Sequence, residues 1–376
     1  MQPTTAAPRQ TLTDAQVVAL LRDAGAVTFS NGCELIDQSL QLIEDISADF
    51  VGGSVSRSSY ATLHGTARLG LSRKLDWGQA IVRPYLVMSD GTTSARFNLG
   101  AYYTSVPTRD NGQTPPTYEV AGVDILHGLA DKVGESYAVE AGTAYLTAVE
   151  QILLDRGYTR YVLDPQATGT TMPSPKAWPL DNQTTWLGIV NDLLAAIGYA
   201  GVWSDWDGQL RCEPYLLPSE RTPEWLYDSD DATVMYDPSV KVTRDFFEAP
   251  NRWVFVRQND VDDATPVEGA GVYTYVNESV GDTSVQARGG RIVTKVEFVD
   301  AADQASLEAR AQVTIDADMR IPTSLAVETF PNPLHWHFDK VSADIPGVTD
   351  PYSDVLCTSW SLPLNGANQT HEWSVL

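Results

Sequence analysis

The sequence predicts a mainly β, α+β protein in which two small β-barrel or sandwich domains flank an α/β module. Three features predict it. From Ser47 to Gly122, Leu63, Gly65, Ala67, Leu69 and Leu71 fall on one face, with His64, Thr66, Arg68, Gly70 and Ser72 on the other. Ala95, Phe97, Leu99, Ala101 and Tyr103 repeat the pattern against Ser94, Arg96, Asn98, Gly100 and Tyr102, and this period of two marks strands with one buried face. Between about residues 130 and 238 the apolar spacing becomes helical, and from Val240 onward short β-branched and aromatic segments return. The implied division is 1–25 for an N-terminal arm and helix, 26–129 for the first β-domain, 130–239 for the α/β module and 240–376 for the second β-domain with one packed helix.

In chain order, MQPTTAAPRQ is small, polar and Pro-containing, and reads as a flexible arm. Thr13 to Gln16 has capping-box form, Val17, Val18 and Leu21 make the stripe of a first helix, and Gly25 stops it. AVTFS and CELIDQ flank Asn31-Gly32, a strong hairpin signal. Five strands follow, from Val51 to Gly122. Ser89-Asp90-Gly91 turns between two of them, and NGQTPP (Asn111 to Pro116) projects between the last two.

In the module, Thr143 caps a helix carrying Tyr145, Leu146, Val149, Ile152 and Leu153, which ends near Gly157. Asn182 or Thr184 starts a second, with Leu187, Val190, Leu194 and Ile197 at helical spacing and Gly198 as its stop. A hairpin turning at Asp207-Gly208 comes next, and an acidic, Pro-bearing connector closes the module. Beyond Val240, the segments RWVFVR, VYTYV, RIVTKVEF, TSLAVETF, VLCTSWSLPL and THEWSVL read as strands. One helix interrupts them, capped by Asp300, whose Leu307, Ala311 and Ile315 pack onto a sheet. Asn365-Gly366 joins the last two strands as a hairpin.

Composition narrows the function classes. At 376 residues the chain exceeds one ordinary core, and 43% hydrophobic residues with 10 Trp and 16 Tyr support globular packing. The net charge is −24, from 49 acidic against 25 basic residues, which argues against a DNA-reading role because phosphate binding needs clustered cations. The charge serves solubility, and it also suits a surface along which a polyanion moves without sticking. Cys33, Cys212 and Cys357 are far apart and show no metal or disulfide spacing. Met1 to Gln10 lacks a signal-peptide core, and no apolar run approaches the roughly 20 residues of a membrane span. The sequons at Asn182, Asn277 and Asn368 carry little weight without secretion, so synthesis and folding in a cytoplasm are expected.

The search for chemistry returns no catalytic, cofactor-binding or metal-binding assignment. G-x-S-x-G, H-E-x-x-H, Walker A and G-x-G-x-x-G patterns are absent. His335-Trp336-His337 places two imidazoles on one strand face without a third ligand, which reads as packing rather than a metal site. Asp205 and Asp207 resemble the start of a calcium loop, but no Glu follows where such a loop needs it, and the hairpin reading prevails. Asp228, Asp230 and Asp231, with Asp260, Asp262 and Asp263, form two acidic loops, read as solvated, with weak calcium binding as the alternative. Paired carboxylates for glycoside cleavage converge only in space and leave no sequence signature.

The run GGSVSRSSYATLHGTARLGLSRKLDWGQAIVRPYLVMSDG with ARFNLGAYYTSVPTRD resembles the opening barrel of minor tail proteins from phages of actinobacteria, within the wider tail-hub (tail-associated protein) family. AGVDILHGLADKVG, LLDRGYTRYVLD, the Trp186 to Tyr199 helix and the final WSLPL and HEWSV strands extend the resemblance from about Ala26 to Leu376. It implies a non-enzymatic virion protein without cofactor, the homotrimeric hub of a siphophage tail tip, whose two barrels per subunit make a six-fold-like ring. Implied partners are further copies of the chain, the distal tail protein ring, the tape measure protein and tip or fibre proteins, with phage DNA passing through unbound. The polar row His64, Thr66, Arg68, Arg96 and Asn98 would then meet a neighbouring barrel or the tube ring, with NGQTPP as a docking loop. The long C-terminal extension many such proteins carry is not expected here, and tip functions would then reside in other chains. The alternatives are a distal tail ring protein, a receptor- or glycan-binding tip module using exposed aromatics, and a cell-wall hydrolase.

Overall fold

The computed structural model describes residues 1–2, 12–22, 27–77, 79–105, 107–112, 116–181, 183–228, 240–244, 249–257, 267–268, 271–299, 301, 304–319, 323–345 and 353–376. Strands dominate these residues, and most belong to one large sheet. Its path runs from Lys241–Arg244 through Thr323–Thr329, Gln369–Val375, Ser353–Pro363, Phe50–Ser58, Gly65–Leu71, Thr117–Asp124, Tyr102–Thr104, Ile81–Ser89 and Thr28–Ile36 to Leu42–Asp45. The path has two free ends, so among the described residues the expected barrel does not close. Mostly β architecture is otherwise as the sequence predicts.

The central joint of that path is antiparallel pairing of Ser353–Pro363 with Phe50–Ser58, from Ser359 opposite Ser58 to Pro363 opposite Ser54. Strands some three hundred residues apart in sequence thus lie side by side, and the β regions before and after the module share one sheet. They also share one core. Val55, Leu69, Leu86 and Phe97 pack in a single cluster with Leu325, Val341, Leu362 and Trp373. The first helix, Asp14–Arg22, adds Val17, Leu20 and Leu21 to that cluster. Its predicted capping box is present: Thr13 N donates to Gln16 Oε1 at 2.9 Å and Gln16 N to Thr13 Oγ1 at 3.4 Å.

The module has a second core. Helices Tyr145–Asp155 and Trp186–Ala195 pack together, and Ile36 and Ile81 of the large sheet reach into their cluster with Leu40 and Ala101 from the connections between its strands. The helix starts differ from expectation. Ala144, without a side-chain cap, precedes the first, and Thr185 caps the second by accepting from Gly188 N at 3.0 Å. A third, small core belongs to a four-stranded sheet of Arg252–Arg257, Val267–Glu268, Gly271–Val276 and Thr294–Val299. Helix Gln304–Met319 covers one face of it with Leu307, Ala311 and Ile315, all fully buried as predicted. Asp300, the expected cap, lies outside the described residues.

Two local expectations fail for clear reasons. Asn31-Gly32 is not a turn: Thr28–Ile36 is one strand, paired along its whole length with Ile81–Ser89. A Cβ on Gly32 would sit 2.2 Å from the Tyr85 ring and 2.5 Å from Ser47 Oγ. The glycine therefore serves close approach rather than reversal, and Asn31 Nδ2 donates to the Leu364 carbonyl at 2.8 Å. The alternation from Ala95 to Tyr103 also breaks. Gly100 has φ 92° and its N–H donates to the Trp206 carbonyl at 2.7 Å, so Tyr102 rather than Tyr103 turns inward. The turns at Asp90-Gly91, Asp207-Gly208 and Asn365-Gly366 form as expected, each with its glycine at positive φ.

The shared sheet yields a stability prediction. Proline at Ser361 removes a ladder donor at the central joint, where Ser361 pairs with Ser56 on one side and Thr370 on the other. Ser361→Pro should lower unfolding free energy by about 3 kcal/mol or more, with both β regions losing structure in one transition. Urea denaturation followed by tryptophan fluorescence and by far-ultraviolet dichroism checks this, since separately folding halves would give two transitions.

Candidate assembly surfaces

Alternation across the central joint sorts side chains into two rows. The inward row crosses five strands through Val327, His371, Trp360, Arg57 and Gly65, each opposite the next. The outward row runs through Glu328, Thr370, Ser361, Ser56 and Thr66. The inward row holds the sheet to the module, and the outward row makes a surface.

Arg57 is the unusual inward residue, because it is 3% exposed and in phase with the core residue Val55. Its Nη2 donates to the Ser204 carbonyl at 2.8 Å, its Nη1 lies 3.7 Å from Asp124 Oδ2, and its guanidinium sits 4.7 Å over the Trp336 ring. Asp124, also buried, accepts from Gly65 N, Leu126 N and Ser204 Oγ, each at 3.0 Å. Trp336 Nε1 donates to the same Ser204 carbonyl at 2.8 Å. The first β region, the module and the last β region therefore meet at one buried ion pair. Gly65 is required there, since a Cβ would fall 2.9 Å from Asp124 Oδ2.

Histidines collect around this point. His335 and His337 do not share a strand face: their segment is not a strand, and their rings diverge. His335 bonds the Tyr227 hydroxyl at 2.6 Å and Asp339 Oδ2 at 3.2 Å. His337 stacks on Trp203 with centroids 5.1 Å apart and meets the His64 ring at 4.6 Å. His371 contacts the His335 ring at 4.9 Å and Thr329 Oγ1 at 2.9 Å. Burial, with Arg57 adding repulsion, pushes His337 well below the ordinary histidine range and lowers His64. Burial, with His335 adding repulsion, does the same to His371. Burial alone would raise Asp339, but the Met1 ammonium 2.9 Å away and His335 outweigh it and hold that carboxylate low. No group of three metal-ligating side chains converges among the described residues.

The predicted polar row divides between these roles. Thr66 and Arg68 are exposed on the outward surface. His64 belongs to the histidine cluster. Arg96 pairs with Glu34 at 2.8 Å and covers the Tyr85 ring at 3.7 Å, while Asn98 is buried and donates to Asp207 at 2.6 Å. Asp205 caps its hairpin turn and pairs with Arg211 at 2.9 Å, as the hairpin reading requires. Asp228 ends a strand, and Asp230, Asp231, Asp260, Asp262 and Asp263 lie outside the described residues, as do 113–115 of NGQTPP. Arg57 escaped sequence reading although its phase with Val55 marks it as inward. All three cysteines are buried and free, and burial pushes the Cys212 thiol up to about 12.

The outward surface continues past the row through Lys241, Ala326, Glu372, Ser359, Ser54, Arg68, Ala121 and Glu119. Its side chains are short, and many are hydroxyls; Ser56 Oγ donates to Ser361 Oγ at 2.8 Å. At the path's far end, Leu42–Asp45 has all four residues exposed.

Linkage gives the pH dependence its sign. A histidine whose folded pKa is depressed binds fewer protons folded than unfolded, so stability falls as pH drops below the ordinary value of 6.5. Asp205, which burial raises, acts oppositely but only nearer the carboxylate range. The melting temperature should therefore decline between about pH 6.5 and pH 5. His337→Phe, which keeps a ring against Trp203, should leave neutral stability within about 1 kcal/mol and flatten that decline. Thermal melts across the pH series check it, and an unchanged slope would remove His337 as a contributor.

Neither a protein-family model nor a curated protein sequence matches the chain. Solved structures do. A tail protein from Neisseria meningitidis MC58 superposes with TM-score 0.64 at 11% identity, covering 92% of this chain and 96% of that one. The 43 kDa tail protein of prophage MuSo2 from Shewanella oneidensis gives 0.58 at 12% identity over 92% and 98%. The Francisella PdpA-VgrG complex gives 0.54 at 8% identity, covering 96% of this chain and 55% of the other. The chain shares, along nearly its whole length, the β-rich fold of these tail proteins.

Proposed function

We propose that the chain is a structural component of a phage tail tip, a hub that forms a ring, joins the tail tube or distal tail ring to tip proteins and lets DNA pass. The observation that carries the reading is the continuous sheet, with its short-chain outward face, in a fold shared end to end with tail proteins. Pairing Ser353–Pro363 with Phe50–Ser58 makes one broad wall from two β regions. Closed symmetry then builds a ring from a few identical walls, with three copies as the proposed number. The protein acts by geometry and needs no catalysis or cofactor for this role.

In the ring the outward face lines the bore. Serine, threonine and alanine side chains offer a low-relief surface, and its charges are Glu119, Glu328 and Glu372 against Arg68 and Lys241. Such a wall, with carboxylates in excess and no clustered cations, gives phosphates little to hold, whereas a basic wall would capture them by releasing counterions. The distal tail protein, the tape measure protein and tip or fibre proteins are its proposed neighbours, and the virion tail tip its location. The resemblance to minor tail proteins of actinobacterial phages fits a long non-contractile tail.

Electron microscopy of intact particles tests the reading. It should show the chain at the tail tip as a ring of three; six copies would favour the distal tail ring, and absence from the particle would overturn both. The bore assignment has its own test. Glu328→Lys combined with Glu372→Lys should leave particle yield and ring assembly near wild type but slow DNA release about tenfold or more. Ejection timed by a DNA-binding dye reads this out, and unchanged kinetics would place that face elsewhere.

A further inference from the structure

His337 lies at the seam between the last β region and the module, and ring contacts place it there. Its imidazole lies flat on Trp203 of the module, at 20° with centroids 5.1 Å apart. It meets His64 edge-on at 4.6 Å and Phe338 at 4.3 Å. The ring is half-buried, but its Nδ1 is buried and has no hydrogen-bond partner among the described residues. Phe338 follows at φ 53°, in the left-handed region where a bulky side chain strains the backbone. Phe338 N donates to Ser59 Oγ at 3.2 Å and Arg221 Nη1 donates to the Phe338 carbonyl at 3.3 Å, which helps hold the strained turn closed.

A neutral imidazole fits this place and a charged one does not. Protonation puts a hydrogen on both ring nitrogens, so Nδ1 becomes a buried donor with nothing to accept from it. Arg57 of the strand Phe50–Ser58, Arg221 of the module, the Met1 ammonium and a protonated His64 all face His337 and repel a cation there. The carboxylates of the seam are already engaged. Asp124 holds Arg57 and accepts from Ser204 Oγ, while Asp205 holds Arg211. Asp339 holds His335 and the Met1 ammonium, and Glu213 faces Arg211 and Arg221. His64 lies between the Ser58 and Val202 carbonyls, so it takes a proton in place and adds a further cation beside His337. The indole face attracts a cation, but by less than an unpaired buried donor and two guanidiniums cost. We propose that His337 is a proton-operated latch: protonation drives the strained His337-Phe338 turn off Trp203 and His64 and opens the seam between the last β region and the module. Arg57 keeps its hold on the Ser204 carbonyl, so the opening is local. The latch works within one copy and does not depend on the ring reading.

Hydrogen exchange of the full chain, read by mass spectrometry between about pH 7.5 and about pH 5 and corrected for intrinsic rates, tests it. Opening takes up one proton, so protection of segment 334–340 should fall about tenfold for each pH unit below the ordinary histidine value of 6.5. Segments 67–71 and 307–315, which lie in separate cores, should keep their protection. His337→Phe keeps a ring on Trp203 but takes no proton, and should leave segment 334–340 protected throughout. Trp203→Leu is the second variant: it removes the stack, so segment 334–340 should lose protection already at neutral pH. Wild-type protection that ignores pH would overturn the latch, as would a pH response that His337→Phe retains or neutral protection that Trp203→Leu leaves intact. Protection lost together in every segment would show global acid unfolding and would overturn it too.

Discussion

The fold depends on one buried charge. Arg57 has left water for the meeting point of three parts of the chain, and desolvating a guanidinium there costs several kcal/mol unless charge and hydrogen bonds replace the solvent. Asp124, the Ser204 carbonyl and the Trp336 ring supply them, and each belongs to a different part. The ion pair adds little net stability against an apolar substitute, but it is intolerant of displacement. A sheet shifted by one residue would expose Val55 and Arg57 together and bury Ser56 against the module. The pair therefore fixes register more than it adds strength.

That constraint explains what the sequence revealed and what it hid. Period-two alternation located the strands around Ala67, Leu69, Leu86 and Phe97, and helical spacing located Leu307, Ala311 and Ile315, because burial writes those periods directly. Pairing partners leave no local trace. Nothing near Ser56 indicates Ser361 across the sheet, so division at 129 and 239 followed composition, while the sheet and its core run through both β regions. Asn31-Gly32 misled because the same dipeptide that favours a turn also admits a tyrosine ring against the backbone. Local chemistry was identical, and only Tyr85 decides between them.

The candidate surface was half legible for a related reason. Thr66 and Arg68 stood out as polar residues on an alternating strand and are exposed. Arg96 and Asn98 had the same signature but are drawn inward, one by Glu34 and the other by Asp207. A polar residue in phase with a solvent face is exposed unless a buried partner exists, and those partners come from distant segments. His335 and His337 read as packing residues, and their separate partners, Tyr227 and Asp339 for one and Trp203 and His64 for the other, come from distant segments as well as near ones.

The proposed bore wall has to place its own charge on its open side without weakening the joint behind it. The alternation of a β-strand separates these tasks by one residue: Ser56 faces out and Arg57 faces in, Thr370 faces out and His371 faces in. Arg57 and the buried histidines lie on the protected side, where Arg57 cannot bind phosphate and burial holds His337 and His371 toward the uncharged form. The acidic Glu328 and Glu372 lie on the open side at no desolvation cost. Reversing the phase would put the guanidinium on the open face and the carboxylates in the core, at a desolvation cost for the carboxylates. The same register that seats Arg57 on Asp124 thus sets the charge of the surface, and the buried pair and the proposed passage follow from a single geometric choice.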